Sequence, residues 1–155
     1  MTDPRSMSLD EISVRLDEIV VTPDAALAAA ASELADELLA AGETILQTWL
    51  IARGEAPTDR AVEGFRLLAL HRQGARGEPS FNACRETCRE LVYHHNLVRL
   101  DPGNPDTARR LRLGAMVGKH LALFIGGKLE VAGLGEFCCS SRPLRQSEAQ
   151  PAETM

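Results

Sequence analysis

Apolar residues recur along this chain at steps of three and four, interrupted at a few short polar or Gly/Pro-rich sites. That period marks helices that each bury one face. Ser8-Leu9-Asp10-Glu11 has the form of a capping box, in which serine and glutamate satisfy each other's free backbone N–H groups, and predicts a short helix to Val20. Thr22-Pro23-Asp24 is a stronger start: a cap, a proline in the first turn and an acid favoured by the helix dipole. The helix predicted from there carries Leu27, Leu34, Leu38, Leu39, Ile45, Leu46 and Leu50, and Gly54 and Pro57 end it. Gly42 within it marks a bend or a close neighbouring backbone.

Thr58-Asp59 opens the next predicted helix, which buries Val62, Phe65, Leu67, Leu68 and Leu70 and closes near Gln73-Gly74. A loop over 74–79 separates it from a helix capped by Ser80 and running to Leu100. Asp101-Pro102-Gly103-Asn104-Pro105 breaks the chain, with Asn104-Pro105 as cap and first turn of a last helix to Ala132, stopped by Gly133 and Gly135. A hairpin of 121–125 with 129–131 around Gly126-Gly127 is the competing reading of that helix's end. The helical period through Leu113, Met116, Val117, His120 and Phe124 fits better and places that row in the core. From Ser140 the chain is rich in Ser, Pro, Glu and Gln, which predicts a disordered tail. The expected fold is all-α: an antiparallel bundle of four main helices with a short N-terminal helix. It forms one domain over 8–139, between a disordered N-terminus (1–7) and the tail (140–155).

Composition narrows this picture without changing it. A chain of 155 residues is long enough for one sizeable core. Aromatic residues are 4% of the chain, while alanine and leucine dominate, which disfavours a sandwich or barrel. The net charge of -5 does not suit a nucleic-acid or anionic-lipid partner. Arg109, Arg110 and Arg112 do cluster, but the loop between the helices at 59–73 and 81–100 is too long for a helix-turn-helix, so a DNA-binding regulator ranks last. The most apolar window, Leu113 to Leu134, contains Lys119, His120, Lys128 and Glu130, which a membrane span tolerates poorly. Met1 to Asp10 lacks the basic start and apolar run of a secretion signal, so the expectation is a cytoplasmic protein with reduced thiols. Nucleophile elbows, phosphate loops and dinucleotide fingerprints are missing, and no residue is assigned a catalytic role.

The remaining chemistry lies in cysteines and histidines. Phe81, Cys84, Cys88, Leu91, His95 and Val98 step by three and four, a seam that faces a partner helix. Cys84 and Cys88 then share a face about 6 Å apart along the axis, as core packing or as a pair of metal-binding thiolates. His95 lies about 10 Å beyond Cys88, too far for one ion, so its partner must come from another helix. His120, flanked by Gly114 and Gly118, is the expected partner: either each histidine hydrogen-bonds inside the bundle, or the two clamp a transition metal or a non-covalent haem. Cys138 and Cys139, near Arg142, are further metal or redox candidates, or part of an ordinary loop lying against the bundle. His71 reads as a helix C-terminal dipole partner or a surface residue. A Glu-x-x-His pair for di-iron and a Cys-x-x-Cys-His for covalent haem are both missing. The functional expectation is a small accessory or sensory protein with a metal or haem. The alternative is a cofactor-free adaptor or chaperone, with a homodimer or another protein as partner.

Overall fold

The computed structural model describes residues 7–134. They form six α-helices and one 3-10 helix: α1 Leu9–Val21, α2 Asp24–Ala29, α3 Ala31–Ala52, α4 Arg66–Ala75, the 3-10 helix Pro79–Cys84, α5 Arg85–Leu100 and α6 Thr107–Ala132. Val62 and Phe65 form an isolated bridge, and no strand occurs among the described residues. The fold is all-α, as the periodicity requires. The helices that build the bundle differ from the expected four. The long α6 lies against α1, α3 and α5, and α3 lies against α5, while α4 is a 10-residue prop on α3. No described helix is long and apolar enough to cross a membrane.

Local chemistry explains most boundaries. The capping box forms: Ser8 Oγ accepts from Glu11 N–H at 3.2 Å, and Glu11 Oε1 accepts from Ser8 N–H at 2.9 Å. Arg112 of α6 then closes the other end of α1, donating to the Val20 and Thr22 carbonyls at 3.1 and 2.7 Å. Lys119 of α6 pairs with Asp17 of α1. The helix expected to run unbroken from Asp24 divides at Ala30, where φ is -116° and ψ 28°. No breaker stands in Ala28-Ala29-Ala30-Ala31. The break lets α2 lie on α6 while α3 packs against α5.

The helix expected from Thr58 starts eight residues later. Glu63 and Gly64 adopt left-handed φ values of 55° and 86°, a tight turn closed by Val62 N–H to Phe65 O at 3.0 Å and Phe65 N–H to Val62 O at 2.9 Å. Side chains of α4 satisfy the preceding loop. Gln73 accepts from Thr58 N–H and donates to Ala56 O, and Arg66 Nε donates to Thr58 O at 2.8 Å. Ser80 also fails to cap a helix: it lies inside the 3-10 turn, and its hydroxyl donates to Glu78 Oε2 at 2.6 Å. Lys128 of α6 straps this turn down through Glu78 and Ser80 Oγ at 3.2 and 2.8 Å, with its ammonium 5.0 Å from the Trp49 ring centre. Asn104 accepts from Asp106 N–H at 2.8 Å, so α6 begins at Thr107. It continues through Gly126-Gly127, excluding the hairpin, and ends on Gly133 at φ 71°.

One apolar core runs through all six α-helices and the 3-10 turn. The buried face of α6 is Leu111, Gly114, Ala115, Gly118, Leu121, Ala122, Ile125 and Leu129. That face lies roughly 150° round the helix from the row Leu113, Met116, Val117, His120 and Phe124. A methyl on Gly114 would stand 3.1 Å from a Leu38 methyl carbon, and one on Gly118 would stand 3.1 Å from a Leu16 methyl carbon. The inner side of α6 combines Leu111, Leu121, Ile125 and Leu129 with small residues that let the helix backbone approach its neighbours, and Met116 and Leu123 are left outside.

Candidate functional site

The expected seam on α5 is largely real. Phe81, Cys84, Cys88, Leu91 and Val98 are buried, and Cys84 and Cys88 are free thiols. Cys84 ends the 3-10 helix and caps α5, and Cys88 follows one turn later. The Phe81 carbonyl accepts from His71 and, while Cys84 is protonated, from the Cys84 thiol. Cys84 Sγ lies 3.3 Å from it and His71 Nε2 3.0 Å from it, which places a proton on Nε2 because a carbonyl only accepts. His71 was expected at a helix end or on the surface, and instead it is buried. The missed signal is its place beside Leu67, Leu70 and Gly74 on the inner row of α4.

The Phe81 ring closes this site. It stacks on Trp49 with centroids 6.0 Å apart, tilts against His71 at 5.4 Å and meets the Phe124 edge at 6.2 Å. The Cys88 thiol donates to the Cys84 sulfur and holds the Cys84 pKa down to about 6, against the opposing pull of burial and with help from His71. Cys88 moves the other way, pushed up by donating to Cys84 and by burial. The arrangement is one ionisable thiol, one thiol kept neutral and an imidazole, all closed from solvent. Thiol chemistry there requires the 3-10 turn to open first.

His95 and His120 are not brought together. His95 Nε2 lies 3.0 Å from Asp36 Oδ1 of α3, its Nδ1 lies 3.2 Å from Asn96 Oδ1, and Phe65 stands edge-on at 5.9 Å between ring centres. Arg99 reaches the other Asp36 oxygen at 3.5 Å. The partner demanded for His95 therefore exists, but it is a carboxylate. His120 is exposed on the outer side of α6, so the expectation of two inward histidines across a haem or metal is corrected by the rotation of that helix. Cys138 and Cys139 lie outside the described residues. Among the described residues, no group of three or more His, Cys, Asp or Glu side chains is placed to hold a metal ion. His94, beside His95, has Nδ1 buried without a hydrogen-bond partner, and desolvation lowers its pKa, with Arg109 and Arg110 adding to the effect and Glu90 opposing it.

The outer side of α6 is the other unusual feature. Met116, Leu123 and Val131 are 54%, 74% and 92% exposed, and His120 lies among them. Of the row read from the sequence as inward, Met116 and His120 are exposed and Leu113 is half-buried, while Val117 and Phe124 pack against the core from its edge. Elsewhere, a groove beside α1 is lined by Asp10, Glu11, Val14 and Glu18, and its one arginine, Arg15, is held by Glu37 of α3 at 2.6 Å. Comparison with known proteins finds no matching family model, no matching curated sequence and no matching solved structure.

Proposed function

We propose that this protein is a cofactor-independent helical interaction module that binds another protein surface through the outer face of α6. One observation carries the reading: the large apolar side chains of α6 that its own fold leaves out, Met116, Leu123 and Val131, run along one side of a single helix. Isolated exposed apolar residues are ordinary, but an aligned row on a rigid helix is what helix-recognising partners bind. The reading is tested by photocrosslinking. A photoreactive residue at position 123 is expected to trap a defined protein in living cells, while the same residue at Glu90, on the exposed side of α5, traps none. Equal yields from the two positions would sink it.

A second reading rests on a different observation, the buried Cys84–Cys88–His71 cluster under Phe81. It makes the protein a thiol sensor in which oxidation or a soft metal ion reaches Cys84 when the 3-10 turn opens. Mass spectrometry after mild peroxide treatment distinguishes it: modification is expected at Cys84 before Cys88, and modification of both thiols together, only at the rate of global unfolding, refutes it.

A further inference from the structure

We infer that Cys84 and Cys88 form a reversible modification site, in which a hydroperoxide converts the two thiols to a disulfide and so lifts the 3-10 turn above them; this rests on reading the cluster as a thiol sensor. The two free thiols are 2% and 0% exposed and lie one helical turn apart at the start of α5. Their sulfurs are in hydrogen-bonding contact. Four residues along a helix place two Cα atoms about 6 Å apart, within the range that a disulfide spans. A regular helix would still hold the two Cβ atoms about 2 Å too far apart for the bond. Cys84 stands outside the regular helix. It ends the 3-10 turn and precedes α5 with φ -101° and ψ 11°. Lifting the turn draws Cys84 toward Cys88 and leaves α5 whole.

The surroundings set the order of events. Cys84 sits at the N-terminal end of α5, where the helix dipole favours negative charge, and within reach of the His71 imidazole. Its pKa is held down to about 6 by the Cys88 thiol, with His71 helping and burial opposing, so Cys84 is the thiolate. That thiolate attacks one oxygen of the peroxide and the O–O bond breaks. The sulfur is oxidised to a sulfenic acid, and the peroxide is reduced to hydroxide or alkoxide, which takes up the proton that Cys84 lost on ionising. Cys88 lies against that sulfur. Its pKa is pushed up by its hydrogen bond to Cys84, by burial and by the Cys84 charge, and the neutral sulfenic acid no longer carries that charge. The Cys88 sulfur then displaces the hydroxyl. The S–S bond forms, the S–O bond breaks, and the departing hydroxide leaves as water with the Cys88 proton. With hydrogen peroxide, two thiols and one peroxide give one disulfide and two waters.

The 3-10 turn is built to lift. Within it Phe81 and Cys84 are buried, while Pro79, Ser80, Asn82 and Ala83 are exposed. Gly77, at φ 74°, lies just before it. Surface contacts hold it down: Lys128 to Glu78 and to Ser80 Oγ at 3.2 and 2.8 Å, and Arg53 to Glu78 at 3.3 Å. Oxidation weakens the inner contacts too. A disulfide has no hydrogen to give the Phe81 carbonyl, which Cys84 Sγ reaches at 3.3 Å in the reduced protein. Phe81 is three residues from the sulfur that moves, and its ring stacks on Trp49 with centroids 6.0 Å apart. The single tryptophan therefore reports the state of the two thiols.

The test is mass spectrometry of the full chain treated with hydrogen peroxide, with circular dichroism as the folding control. Cys138→Ser and Cys139→Ser are included so that Cys84 and Cys88 are the only cysteines left. The expected product is two hydrogens lighter than the reduced chain. Trypsin cuts at Arg85, between the two cysteines, so the bridge is read as two peptides held together until dithiothreitol parts them. Trp49 emission is expected to shift to the red as the bridge forms and to return on reduction. Lys128→Ala frees the turn and is expected to speed the bridge about two- to fivefold, beyond any change in the rate of global unfolding. Cys88→Ser is expected to leave Cys84 as a sulfenic acid that dimedone captures, with no tryptophan shift. Cys84 oxidised beside an intact Cys88 thiol overturns the disulfide and leaves the sensor reading standing. Thiols that react only at the rate of global unfolding remove both. A bridge that leaves Trp49 emission unchanged, or forms no faster in Lys128→Ala, overturns the lifting of the turn.

Discussion

Replacing Gly74 by alanine drives a methyl group into the ring that closes the thiol site. An ideal Cβ there stands 2.5 Å from Phe81 Cε2, 2.8 Å from Cζ and 3.1 Å from Cδ2. Carbon atoms pack at about 3.5–4.0 Å, so the ring must retreat by roughly 1 Å. It has no free direction: Trp49, His71 and Phe124 surround it, and it is 0% exposed. Its backbone is held by the contacts of the Phe81 carbonyl with His71 and Cys84. Overpacking of this kind costs about 1–3 kcal/mol. Alanine returns about 0.5–1 kcal/mol of helix propensity at most. Gly74 is the penultimate residue of α4, where that gain is smallest. The net expectation is a loss of about 1–2 kcal/mol, a sizeable share of the ~5–15 kcal/mol typical of a folded domain. Urea unfolding measures it, followed by circular dichroism and by the fluorescence of Trp49, the single tryptophan. The same substitution in a Phe81→Leu background should be milder, with a coupling of about 1 kcal/mol, because the smaller side chain leaves room. A Gly74→Ala protein as stable as wild type, or an equal cost in both backgrounds, would refute the packing argument.

Three further outcomes follow from the same geometry. Ser8→Ala removes one half of the capping box and is expected to cost about 1 kcal/mol in urea unfolding, with Glu11→Ala smaller or similar. Asp36→Asn removes the charged partner of His95 and Arg99; both ends are partly exposed, so the loss should stay below about 1 kcal/mol and shrink further in high salt. For Cys84, the folded thiol ionises at about 6 while the unfolded one ionises at about 8.5, so the stability of wild type relative to Cys84→Ser should rise with pH across that window and be independent of pH below it. Cys88 is shifted upward and stays neutral there, so a flat difference between the two proteins would show that Cys84 is not the ionising thiol.

Much of the fold was legible because it depends on neighbours in sequence. Ser8 and Glu11 meet because three residues separate them, and the Cys84–Cys88 row faces inward because helical period and burial agree. The errors share a different origin. The inner face of α6 has Leu111, Leu121, Ile125 and Leu129 at its ends but Gly114, Ala115 and Gly118 between them, so its stripe is interrupted and the row with Met116 and His120 looked like the inner face. Thr58-Asp59 looked like a helix start, but the turn at Glu63-Gly64 takes those residues into a loop that Gln73 and Arg66 hold from a distance. His71 was hidden because its donor role depends on the Phe81 carbonyl, ten residues away.

The sequence by itself therefore determined the all-α class, most helix ends and the inward cysteines, since capping, breakers and a 3.6-residue period act within a few residues. Only the tertiary structure decided which side of α6 turns inward, and with it whether His95 meets His120 or Asp36. That choice rests on how closely two helix backbones can approach at glycine and alanine, a quantity that exists only once the helices are packed.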